Sequence, residues 1–130
     1  MNDEEYRKAA ALLARYGEMN DHGEGRLDLP TAQIEVWGFE IDGAMMNLVG
    51  ELRGACDFLF ELATAARLIV QFESPIGEAS ALVTTPEALG LTRALDEAAH
   101  EELGPIVLAP DPTAVWRALA GPAAQPRGQA

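Results

Sequence analysis

The stretch from Gly43 to Arg67 decides what this chain can fold into, because two incompatible periods fit it. At the helical period, Met45, Leu48, Val49, Leu52, Cys56, Leu59 and Ala63 form one apolar stripe. Asn47, Gly50, Glu51, Gly54, Asp57, Glu61 and Thr64 fall on the opposite face, and only Met46 and Phe58 are misplaced. At period two, Asp42-Gly43 is a type I′ hairpin signal that returns the chain as a second strand, Ala44 to Leu52. Gly50 and Gly54 would each cost a helix about 1 kcal/mol relative to alanine. The length of the helical match outweighs one dipeptide. One long helix over 43–67 is the expectation. A β-hairpin over 33–52, in an antiparallel sheet with flanking helices, is the alternative.

The flanking segments read more simply. Residues 3–16 form a helix capped by Asn2 or Asp3, with acids in the first turn and Gly17 after the last. Gly17 to Pro30 is polar and rich in glycine, a long loop. Gln33 to Ile41 is the clearest strand, and its broken alternation calls for a bulge near Trp37-Gly38 or for cover on both faces. Leu68 to Glu73 and Ala79 to Thr84 read as a hairpin around Ser74-Pro75-Ile76-Gly77. Thr85-Pro86 opens a helix whose stripe is Leu91, Leu95, Ala98, Ala99 and Leu103. Ile106 to Ala109 is a short strand, and Asp111-Pro112 opens a last helix with Val115, Trp116 and Leu119 inside.

With the long helix in place, the core has the βαββαβ order of a ferredoxin-like α+β sandwich, with additional helices at both ends. Only the topology is meant, since an iron–sulfur cluster would need more thiolates than Cys56 alone. A chain of 130 residues suits one domain, placed at 1–121, with 122–130 as a flexible tail.

Charge narrows the partners. With 21 Asp and Glu against 9 Lys and Arg, the formal net charge is −12. That balance disfavours the phosphate backbone of nucleic acids and anionic membrane surfaces, and it permits a basic partner protein, a cation or merely a very soluble surface. A homodimer is a separate expectation, drawn from the sheet face that the helices leave for a partner subunit. One cysteine, an acidic N-terminus and no long apolar run make a soluble cytoplasmic protein the expectation.

Motifs for chemistry are sparse. Cys56 lies on the apolar stripe, remote in sequence from His22 and His100, and reads as a core residue. Asp21-His22-Gly23-Glu24 and the Asp96/His100 pair have some ligand character, but neither completes a metal motif, and HEEL at His100 to Leu103 lacks the second histidine of H-E-x-x-H. Carboxylate pairs such as Glu101-Glu102 are expected by chance among so many acids. No cofactor and no catalytic residues are assigned, and a binding role is expected in preference to an enzymatic one.

The more informative constellation joins acids with aromatics. Glu35, Trp37, Phe39 and Glu40 lie on the clearest strand, and Glu51, Asp57 and Glu61 lie on the polar face of the expected long helix. Tryptophan anchors interfaces and carboxylates around it suit a partner rich in Arg or Lys. These seven residues are the candidate partner-binding set. The function expected from them is occlusion or escort of a basic protein, as by a bacterial toxin-immunity protein or a dedicated chaperone. The alternative is a small-molecule-sensing or small enzymatic domain of ferredoxin-like type, dimeric in some forms.

Overall fold

The computed structural model describes residues 1–73 and 78–120. The chain divides into two compact units, Met1–Leu68 and a second beginning at Ile69. The expected tail and the turn at Ser74 to Gly77 lie outside the described residues.

The first unit begins with α1 (Asp3–Tyr16), where the acidic first turn and the asparagine cap place it. Four strands follow, β1 (Gly17–Met19), β2 (Gly25–Asp28), β3 (Ala32–Glu40) and β4 (Gly43–Gly50), and α2 (Leu52–Ala66) closes the unit. The strands form an antiparallel meander in the order β1-β2-β3-β4. Successive side chains of a strand point to opposite faces, and both helices cover the same face. Ala9, Leu12 and Leu13 of α1 and Ala55, Phe58, Leu62 and Ala66 of α2 meet Leu27, Ala32, Ile34 and Val36 of the sheet in one buried core. Neither helix of this unit covers the other face.

The bulge expected near Trp37-Gly38 is present. The β3–β4 register slips between Trp37 and Glu40, where Gly38 takes φ +63°. That extra residue returns Phe39 to the helix-covered side, where its ring stacks on Tyr6 at 4.9 Å.

Several expectations are corrected. The long helix over 43–67 does not form: residues 43–50 are β4, the hairpin alternative, and the helix starts only at Leu52. The stripe misleads because β4 carries apolar side chains on both faces, so alternation is lost and a helical period emerges by default. Gly50, at φ +109°, ends the strand, and the Glu51 N–H then bonds the Thr31 carbonyl at 3.1 Å. The hairpin turn also differs from the expected type: Ile41 and Asp42 span it, and neither has positive φ. Second, the loop over 17–30 contains β1 and β2, whose pairing is carried by backbone bonds and a single buried residue, Leu27. Third, the strand order is not the ferredoxin-like one, since the described strands make two sheets, four-stranded antiparallel and three-stranded mixed.

In the second unit, β5 (Val70–Glu73) pairs antiparallel with β6 (Ala79–Val83), and β6 pairs parallel with β7 (Ile106–Leu108). The crossover between β6 and β7 is not one helix but α3 (Pro86–Thr92) and α4 (Glu97–Leu103). Asp96 divides them by accepting the Ala99 N–H at 2.8 Å as an N-cap, which leaves Leu91 and Leu95 exposed. Thr85 and Asp111 cap α3 and α5 (Pro112–Ala120) as their positions before proline suggest. No helix among the described residues is long and apolar enough to cross a membrane.

One carboxylate ties the two helices of the first unit together. Glu5 completes the capping box of α1 by accepting the Asn2 N–H at 2.9 Å, and it also pairs with the Arg67 guanidinium. Arg67 is the C-cap of α2 and holds a left-handed conformation, φ 51° and ψ 47°. The Asn2 N–H and then the Arg67 side chain hold the Glu5 carboxyl below its ordinary value of 4.5. A carboxylate with a depressed folded-state pKa adds stability that is complete above its unfolded-state pKa and is lost as pH falls through the folded one. Acid unfolding followed by circular dichroism should therefore show a steeper loss below about pH 4.5 for the wild type than for Glu5→Gln. At neutral pH the variant keeps the capping box, since glutamine also accepts the Asn2 N–H, but loses the charge opposite Arg67 and should be less stable by about 0.5–1 kcal/mol.

Candidate functional site

The register of the meander determines which side chains share the uncovered face. Ile34 and Val36 point to the core, so Gln33, Glu35 and Trp37 point away from it. Across the ladders, Glu35 lies between Arg26 of β2 and Asn47 of β4, Gln33 between Asp28 and Val49, and Trp37 opposite Met45. The Gln33 amide donates to Asp28 at 3.2 Å on this face. Trp37 is 41% exposed, Met45 75% and Val49 48%. Trp37 and Met45 thus form an apolar pair between Glu35 and the hairpin tip at Glu40, with Val49 set apart from it by Asn47. Carboxylates outnumber cations here, with Glu18, Asp28 and Glu35 around Arg26.

The seven expected residues do not form one surface. Glu35, Trp37 and Glu40 are brought together at the hairpin end of the sheet. Phe39, returned to the core side by the bulge, is structural. Glu51 is the N-cap of α2 without using its side chain as a cap. Asp57 and Glu61 are exposed on α2, in the helix layer rather than on the open sheet face, and Glu61 pairs with Arg15 of α1 at 3.0 Å. Sequence reasoning missed Arg26, Met45 and Val49. The alternation Met45, Asn47, Val49 carried their signal, but the helical stripe absorbed it.

A second feature lies between α1 and β1. A groove of about 530 Å³ is lined by Tyr6, Ala10 and Ala14 of α1, by Phe39, and by Met19 and Asp21 at its β1 end. The small alanines leave the space open, and the Tyr6–Phe39 stack forms an aromatic wall. The turn beside it is well ordered by Asn20, whose Oδ1 accepts the N–H groups of His22 and Glu24 at 2.9 and 3.0 Å. Asp21, His22 and Glu24 are thereby arranged around an asparagine turn. Among the described residues, no three His, Cys, Asp or Glu side chains converge on a point where they could hold one metal ion.

Cys56 is buried in α2, and its thiol donates to the Leu52 carbonyl at 3.3 Å. Burial, reinforced by the neighbouring Asp57 charge, pushes its pKa up to about 11. A thiolate is the reactive form, so this group is a poor nucleophile at neutral pH.

Compared with known proteins, the chain matches no protein-family model, no curated protein and no solved structure. What its surfaces do must be read from their own chemistry.

The Cys56 environment has a direct consequence. The folded protein at pH 7 should resist alkylation by iodoacetamide, while the same chain in guanidinium should be modified fully. Intact-mass spectrometry distinguishes the two states.

Proposed function

We propose that the protein is an acidic binding module that occludes or escorts a basic protein partner through the open face of its first sheet. The observation that carries this reading is Trp37, 41% exposed beside Met45 on an uncovered face with Glu35 and Glu40 close by. An exposed aromatic next to an unbranched thioether gives an adaptable apolar anchor. The surrounding carboxylates, backed by a net charge of −12, attract Arg and Lys side chains and form a polar rim around that anchor. No bond is made or broken. A toxin-immunity protein or a dedicated chaperone would both work in this way.

Affinity capture from the source cells tests the reading. The expected partner is a basic protein whose association slows as salt is raised, because electrostatic steering is screened. Trp37→Ala should weaken binding by roughly thirtyfold, the loss of about 2 kcal/mol typical of an interface anchor. Its circular dichroism should stay unchanged, since Trp37 lies outside the buried core. A captured partner that is acidic, or that binds Trp37→Ala as tightly, would rule the proposal out.

The groove supports a second reading, small-molecule sensing. Its volume falls within the ordinary range for ligand sites, roughly 300–1,000 Å³. Asp21 beside an aromatic wall suits a compact organic cation. Thermal shifts with arginine, agmatine and spermidine, abolished by Ala10→Leu, would favour this reading over the first.

A further inference from the structure

We infer that β4 is a pairing edge for a second copy of this chain, joining two sheets antiparallel about Asn47. Among the described residues, β4 has β3 as its only sheet neighbour. The bond from the Glu51 N–H to the Thr31 carbonyl sets the phase of the β3–β4 ladder. Alternate residues of an antiparallel strand turn their amides to opposite sides. Met45, Asn47 and Val49 therefore bond β3, and Ala44, Met46, Leu48 and Gly50 turn their N–H and C=O groups outward.

Exposed edges of this kind are usually guarded by short length, lysine, proline or an inward-pointing charge. β4 has eight residues, GAMMNLVG, with no ionisable side chain and no proline. The omission selects the occupant. A basic peptide would find no carboxylate on this strand to pair with, whereas two copies that repel elsewhere can approach along a neutral seam. The strand is also self-complementary. With Asn47 on the two-fold axis, Met45 faces Val49 of the second copy on the open side, and Met46 faces Leu48 of the second copy on the core side. Each Asn47 amide meets its own counterpart, which can both donate and accept. Such an isologous contact closes as a dimer and does not propagate.

This inference does not rest on the proposed partner-binding role, although Met45 belongs to both surfaces, and salt separates them. Screening weakens attraction to a basic partner but strengthens pairing of two anionic chains. Sedimentation equilibrium should give twice the 13.9 kDa chain mass, with a dissociation constant that falls as salt rises. Asn47→Asp, isosteric and exposed, sets two carboxylates face to face on the axis and should raise that constant by about tenfold or more. Met45→Glu, at a position 75% exposed, should also raise it and provides a second variant should the first fail to fold. Under mild oxidation Asn47→Cys should cross-link to itself, and Met45→Cys, off the axis, should not. A monomer at every salt and at millimolar chain concentration would overturn the inference. So would a dimer indifferent to Asn47→Asp, or equal cross-linking of both cysteine variants.

Discussion

In the first unit, α1 and α2 cover only one side of the sheet, and Ile34 and Val36 occupy that side on β3. Strand geometry then leaves Glu35 and Trp37 no choice but the open face. Gly38 interrupts the alternation and sends Phe39 back to stack on Tyr6. Core, groove and open surface all follow from this one phase and its single interruption. Had the chain lacked the bulge, Phe39 would have joined Trp37 outside, and α1 would have lost the ring that packs against its first turns.

The helices are held by a different kind of constraint. α2 begins without a side-chain cap and ends on a non-glycine residue in the left-handed region, a conformation that costs roughly 1–2 kcal/mol. Arg67 offsets that cost by reaching Glu5, which already completes the capping box of α1. The start of one helix and the end of the other therefore share a carboxylate. Arg15 and Glu61 add a second contact between the same helices, more exposed and correspondingly weaker.

Much of this was legible in the residues. Asn2 or Asp3 and the acids after them marked the start of α1, proline positions marked α3 and α5, and the uneven pattern around Trp37 called for a bulge or for cover on both faces, of which the bulge is present. What escaped was what the polarity pattern of the side chains does not record. β4 places Met45 and Val49 outward and Leu48 inward, so apolar residues recur at helical spacing although the backbone is extended. β1 and β2 bury almost nothing and are held by main-chain bonds, which no side-chain pattern records. The break between α3 and α4 was hidden in the same manner, because Asp96 reads equally as a surface acid and as a cap. For the candidate surface, Trp37 was visible as an anchor, but its companions Met45 and Val49 could be found only once β4 was known to be a strand.

The pairing of Glu5 with Arg67 also bears on biosynthesis. The partners are separated by 62 positions, nearly the whole of the first unit. As the chain leaves the ribosome, the meander can assemble from neighbouring strands, but the carboxylate at the start of α1 meets its guanidinium only after α2 has emerged. The capping box of α1 is local to residues 2–5 and needs no later residue; what waits for residue 67 is the tie between α1 and α2. Leu12 and Leu13 share their core with Phe58 and Leu62 of α2, so that core is completed only by the last element of the unit.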